Sequence, residues 1–123
     1  FAHHPTAIKT TLEGLRAKVG DSKVVAVIEP RSATMRLGIH QDSLSHAVAA
    51  ADQVFWYQNA SIDWDVNAVA KACDVPAIAV AEIENLLTLV TESITQDTEI
   101  VIMSNGGFEG FHQRLVERLG RGN

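Results

Sequence analysis

The 123-residue chain predicts a three-layer α/β domain, a mostly parallel sheet with helices on both faces. Three observations predict it. Segments with a helical apolar period alternate strictly with short apolar runs. The connections between them are short. The runs are continuous rather than alternating, as expected of strands with no solvent side.

Ile8, Leu12, Leu15 and Val19 fall on one helical face, and Gly20 supplies the stop. Val24–Ile28 is the first strand. Leu44, Ala47, Val48 and Ala51 restore a helical stripe before the second strand, Val54–Tyr57, whose aromatic content suits a strand. Val66, Val69, Ala70 and Cys73 form a third stripe with Asp65 as its cap, and Ala77–Val80 is the third strand. Ile83, Leu86, Leu87, Val90 and Ile94 make the fourth helix, Ile100–Met103 the fourth strand, and Phe108, Phe111, Leu115 and Leu119 the last helix. Crossovers in such a sheet are right-handed, and ligands bind beyond the carboxyl ends of its strands, where the strand order switches. That rule directs attention to Glu29–Gly38, Gln58–Trp64 and Ser104–Gly110.

Composition narrows the function classes. The length fits one domain, large enough to bury a core without staples. A formal net charge of −5 opposes a nucleic-acid footprint. No apolar run is long enough to span a bilayer, and no signal peptide is visible. The single cysteine, Cys73, has no internal disulfide partner, sits on an apolar stripe and fits a reducing cytosolic compartment. Gly120–Asn123 reads as a frayed tail.

The chemistry-bearing candidates cluster at strand ends. Arg31 follows Glu29-Pro30, where a guanidinium can grip a carboxylate with two parallel hydrogen bonds; the bland reading is a surface arginine paired with Glu29. Ser32, Thr34 and Arg36 share that loop and either donate to an anion or cap the next helix. Asn105, Gly106 and Gly107 allow a tight turn and a close backbone approach, with neither the lysine of a P-loop nor a G-x-G-x-x-G pattern. His3 and His4 stand on a loop that enters a helix at Pro5, a place suited to anions. Adjacent imidazoles point apart and no zinc-like spacing accompanies them, so no metal site is expected. His40 and His46 show no clear partner, His112 lies off the apolar face, Trp56 and Trp64 read as core and rim packing, and Glu82, Glu84 and Glu92 as a solvated helix face. No nucleophile elbow, Cys/His pair or carboxylate dyad names a reaction.

Three segments together resemble one family. Phe1-Ala2-His3-His4-Pro5-Thr6 is similar to the opening of the C-terminal, Rossmann-like domain of the Mur ligases, ATP-dependent enzymes of peptidoglycan assembly. Glu29-Pro30-Arg31-Ser32-Ala33-Thr34-Met35-Arg36-Leu37-Gly38 and Ser104-Asn105-Gly106-Gly107-Phe108 resemble the branch that attaches a murein peptide. The resemblance runs essentially end to end, with Ala33 where it leads one to expect asparagine and Glu109 where it leads one to expect glycine.

The resemblance implies that residues 1–123 are the third domain of a ligase whose N-terminal UDP-sugar domain and central ATP-binding domain are absent, so that the piece alone is inactive. It implies that the whole enzyme uses ATP and Mg2+ to phosphorylate the lactyl carboxylate of UDP-N-acetylmuramate. The amine of L-Ala-γ-D-Glu-meso-diaminopimelate then attacks the acyl phosphate. The third domain would position the peptide and exclude water. By the resemblance, Arg31 holds a peptide carboxylate and His3 lies near the attacking amine. Thr34 and Arg36 support that pocket, and His4, Ser32, Asn105, Gly106 and Gly107 line the cleft. It also implies a nucleotide-touching aspartate and a first strand before Phe1, leaving a sheet edge open to association. A paralogue adding a single amino acid, and a stand-alone binding module, are the rival readings. A receiver-like module would want an aspartate where the first strand ends in Glu29-Pro30-Arg31.

Overall fold

The computed structural model describes residues 5–30, 41–60, 62–95, 97–104 and 108–121. Their order is α1 (Pro5–Val19), β1 (Lys23–Ile28), α2 (Gln41–Ala47), β2 (Gln53–Tyr57), α3 (Val66–Ala72), β3 (Ala77–Val80), α4 (Ile83–Ser93), β4 (Thr98–Met103) and α5 (Phe111–Arg121). The four strands pair in the order β3-β2-β1-β4, every pair parallel.

The continuous apolar strands have the burial that their sequence requires. Val24–Ile28 are fully buried. Val24, Ala26 and Ile28 pack with Ile8 and Leu12 of α1, Leu44 and Ala47 of α2 and Val66 and Val69 of α3. Val25 and Val27 face the other way, against Leu86, Leu87 and Val90 of α4 and Phe111 and Leu115 of α5. Thus α1–α3 cover one face and α4–α5 the other. The helices change face where the chain, having stepped from β1 to β2 to β3, crosses back to β4, as crossovers of one hand require.

Helix ends follow local chemistry. Gly20 takes a φ of +65° and its N–H donates to Arg16 O, closing α1 with a glycine in the left-handed region. Asp65 caps α3 by accepting from Asn67 N at 3.0 Å. Three expected helix ends need correction, one of them Cys73, which is the residue after α3 rather than within it. α2 stops at Ala47, and Val48 and Ala51, expected on its stripe, are buried from a turn held by Ala49 N–H to His46 O and Ala51 N–H to Val48 O. Ile94 likewise is the residue after α4 rather than its last turn.

At the amino end of the sheet, Arg16 ties three segments together. Its guanidinium donates to Ala50 O at 3.1 and 3.2 Å, Gly20 O at 2.9 Å, Ser22 O at 2.8 Å and Asp52 Oδ2 at 2.6 Å. The same Asp52 oxygen accepts from Val24 N at 2.7 Å, fixing where β1 begins. The hydrogen bond from Arg16, then that from Val24, holds the Asp52 carboxyl below the usual carboxylate range.

At the opposite end, Phe108 is not part of the last helix. Phe108 and Glu109 have φ of 52° and 51°, and Gly110 follows at 73°. Side chains disfavour that region by roughly 1–2 kcal/mol per residue. The turn is held by side chains that oppose the strain. The Phe108 ring stacks on Tyr57 at 5.4 Å and on Phe111 at 4.9 Å, and Tyr57 OH donates a short hydrogen bond to Glu109 Oε2. Burial, then the Glu109 carboxylate, pushes the Tyr57 phenol well above its ordinary value, so it stays a donor.

Arg16→Ala should lower unfolding free energy by about 1–2 kcal/mol, read from urea denaturation at neutral pH, because three carbonyls from two connections lose their shared donor. Asp52, with its depressed folded pKa, contributes stability above about pH 4 and loses it as the pH falls through the folded value. The stability gap between the parent and Asp52→Asn should therefore be widest near neutrality and shrink below about pH 4; a gap that widens in acid would contradict the assignment. In a Tyr57→Phe background, Glu109→Gly should raise stability by about 0.5–1 kcal/mol, since glycine relieves the left-handed strain once the hydrogen bond is gone. In the parent the same change should be smaller or opposite in sign.

Candidate functional site

The strand order sets the site. From β1 the chain steps to β2 on one side, while β4 pairs on the other, so the strand order switches at β1, and the rule for open parallel sheets places a ligand crevice at the carboxyl end there. α1 runs back along the sheet to deliver Gly20 to the amino end of β1, which sets its first residue, Pro5, at that same carboxyl edge. Pro5, Pro30, Ser104 and Phe108 thus border one rim, and each adjoins a segment that the sequence singled out.

Glu29 stands at the centre of the rim. Its N–H donates to Met103 O at 2.9 Å, extending the β1–β4 ladder by one residue. Its carboxylate joins the ends of three strands: Oε1 accepts from Ser104 Oγ at 2.6 Å, beyond β4, and Oε2 accepts from Asn59 Nδ2 at 2.8 Å, beyond β2. Both donors are neutral, so a half-buried carboxylate is fixed at the mouth of the crevice, its orientation set by two hydrogen bonds. Gln58 continues the rim toward β3: its N–H donates to Val80 O at 2.9 Å and its side chain to Trp64 O at 3.3 Å. On the α4–α5 side stands the Tyr57–Glu109 pair. The rim offers carboxylates and neutral amides that can orient a polar ligand.

Every residue selected from the sequence as a site candidate, namely His3, His4, Arg31, Ser32, Thr34, Arg36, Asn105, Gly106 and Gly107, lies outside the described residues, as does His40. The structure places the borders of their segments together and leaves the side chains themselves to proposal. Glu29, Asn59 and Ser104 are the additions. Sequence reading marked their segments but not their contacts, because partners separated by 30 and 75 positions leave no local signal. Glu109 did carry a signal: it stands where the resemblance expects glycine, and its φ is positive.

The remaining candidates have structural roles. Trp56 is fully buried and Trp64 packs at the margin of the same core. Burial pushes the Cys73 thiol up and Sγ donates to Val69 O at 3.3 Å, the opposite of a reactive thiolate. His46 Nδ1 does have a partner, Asp42 O at 2.6 Å. Glu84 is exposed, as expected of a solvated face, and there pairs with Arg114 at 3.0 Å and Arg118 at 3.1 Å across α4 and α5. Glu82, Glu92 and His112 are exposed. Among the described residues, no three His, Cys, Asp or Glu side chains gather as metal ligands would, and no helix is long and apolar enough to cross a membrane.

No family model matches the chain. Among characterised proteins it is 46% identical over 122 residues to the UDP-N-acetylmuramate–L-alanyl-gamma-D-glutamyl-meso-2,6-diaminoheptandioate ligase of Escherichia coli K12, covering 98% of this chain and 27% of that one. It is 41% identical over 120 residues to the Haemophilus influenzae enzyme of the same name, covering 97% and 26%. The chain therefore spans about a quarter of the length of these relatives. Among solved structures, the murein peptide ligase of Psychrobacter arcticus superposes with a TM-score of 0.88 at 41% identity, covering 98% of this chain and 26% of that one. A domain from a UDP-N-acetylmuramate:L-alanyl-gamma-D-glutamyl-diaminopimelate ligase of Haemophilus ducreyi superposes with a TM-score of 0.80 at 39% identity, covering 97% of this chain and 86% of that one. The all-parallel sheet flanked by helices is also the fold of a Thermotoga maritima UDP-N-acetylmuramate–alanine ligase, at a TM-score of 0.76 and 19% identity. With that domain matched over most of its length, and with the same kind of ligase recurring along the whole sequence, the chain belongs to the murein peptide ligases of the Mur family and has the fold of their C-terminal domain.

Proposed function

We propose that this chain is the peptide-positioning domain of an ATP-dependent ligase that joins L-Ala-γ-D-Glu-meso-diaminopimelate to UDP-N-acetylmuramate in bacterial cytoplasm, as part of peptidoglycan recycling. The observation that carries the reading is the end-to-end 46% identity to a ligase named for that peptide, against 30% to ligases named for alanine. The position of the crevice supports it, since Glu29 begins the very segment that resembles the peptide-adding branch.

On this reading the full-length enzyme uses ATP and Mg2+, and the chain itself carries no P-loop motif. Those groups belong, on this reading, to a central domain of the full-length enzyme, with an N-terminal domain for the UDP-sugar. This domain's own work is binding and alignment. Arg31, two residues past Glu29, grips a carboxylate of the incoming peptide through its planar fork. Thr34 and Arg36 add donors to the same pocket. His3 hydrogen-bonds near the attacking amine and orients it, with His4, Ser32 and the Asn105-Gly106-Gly107 turn lining the cleft. Holding the amine in line and expelling water is where such a domain contributes to rate. Glu29, pinned by Asn59 and Ser104, supplies a fixed base for the Arg31 loop.

In the full-length enzyme, Arg31→Ala should raise the peptide KM at least tenfold and leave the thermal unfolding midpoint unchanged. Unaltered peptide kinetics would remove Arg31 from the site. His3→Ala should lower kcat without weakening UDP-N-acetylmuramate; a defect confined to UDP-sugar binding would contradict its assignment. Preference for free L-alanine over the tripeptide as acceptor would overturn the peptide-ligase reading itself.

A further inference from the structure

A second concavity lies on the same rim, one strand further from the crevice. It has a volume of about 150 Å³ and is lined by Gln58 and Asn67 together with Ala79, Val80 and Ala81. Its place relative to Glu29 follows from register. Ile28 pairs with Trp56 and Trp56 with Ala79, and Tyr57 pairs with Val80. Glu29, Tyr57 and Val80 therefore form one row across β1, β2 and β3, with Gln58 and Ala81 one step beyond. Adjacent strands are ~4.8 Å apart, so the cleft between the β2 and β3 ends lies roughly 5–10 Å from Glu29. An extended peptide covers ~3.3 Å per residue, so two to three residues bridge that distance.

The lining chemistry is specific in kind. Gln58 and Asn67 each present a carbonyl acceptor and an NH2 donor with no charge, and the other three residues contribute small apolar side chains and backbone. One donor of Gln58 is committed to Trp64 O at 3.3 Å, which holds that side chain in place. The Asn67 backbone N–H is used by Asp65, but its side-chain amide has no partner among the described residues, and the residue is exposed. A pair of neutral amides above a small apolar floor matches a peptide bond, which offers one donor and one acceptor. It suits a carboxylate, an ammonium or a phosphate less well, since each gains more from a charged partner.

We propose that this cleft is a subsite for a peptide-bond amide of the acceptor peptide, beyond the third residue held at the β1–β4 crevice. It rests on the ligase reading above. A tripeptide ends at the crevice; a peptide lengthened at its carboxyl end runs along the rim from β1 toward β3 and places its added amides between Gln58 and Asn67. The cleft thus sets how strongly longer peptides are bound, without touching the reacting amine.

The test uses the full-length enzyme and three acceptors: the tripeptide, and the same peptide extended by one and by two residues at its carboxyl end. Asn67→Ala removes an amide that supports no fold contact, and Ala81→Leu fills the cleft from an exposed position. Both should raise KM for the doubly extended peptide about three- to tenfold, the scale of one lost hydrogen bond, with a smaller rise for the singly extended one. KM for the tripeptide and kcat for all three should be unchanged. Equal effects at every length, or none at any length, would overturn the subsite while leaving tripeptide ligation intact. If the unsubstituted enzyme ligated none of the three, the ligase reading would fall, and the subsite with it.

Discussion

Strand β1 has no solvent side, and most of the architecture follows from that constraint. Five consecutive residues, Val24–Ile28, are fully buried, with alternate side chains entering two separate cores. Its backbone groups are paired with β2 on one edge and β4 on the other. A strand in that position must have helices above and below it, and parallel neighbours reached by crossovers. It also leaves only two places where polar chemistry can be put, its ends. The amino end is closed by Arg16 and Asp52. The carboxyl end is where Glu29 emerges and accepts from Asn59 and Ser104.

The two ends are built with different physics. At the amino end a cation satisfies three backbone carbonyls from two connections and one carboxylate, so charge is spent on closure. At the carboxyl end the Glu29 carboxylate is oriented by neutral donors, and the neighbouring Glu109 is held by a phenol in a strained turn. Strained backbone is tolerated where surrounding packing over-determines it, and here the Tyr57, Phe108 and Phe111 rings provide that packing. The rim is thereby packed on the α4–α5 side by three stacked rings and the Tyr57–Glu109 hydrogen bond.

The alternation of helix and strand was readable because apolar period is a local property. The Ile8–Leu12 stripe, Asp65 as a cap and Gly20 as a stop each depend on residues within one or two turns. The boundaries that misread, Val48 with Ala51 and Phe108, are apolar residues that the core recruits from turns. Periodicity reports burial, and it cannot tell a buried turn from another turn of helix. The positive φ at Phe108 and Glu109 is invisible for the same reason, since neither residue type favours it.

By itself the sequence determined the class of fold, the segments with chemical potential and the family, through motifs whose spacing along the chain is specific. Only the tertiary structure decided the strand order β3-β2-β1-β4, hence which strand ends adjoin, and it alone brought Asn59 and Ser104 onto Glu29. The division has a physical cause. Secondary structure is set by neighbours within a few residues, whereas a site at a sheet's rim is assembled from residues tens of positions apart, and their meeting is fixed by strand pairing and by packing on two faces at once.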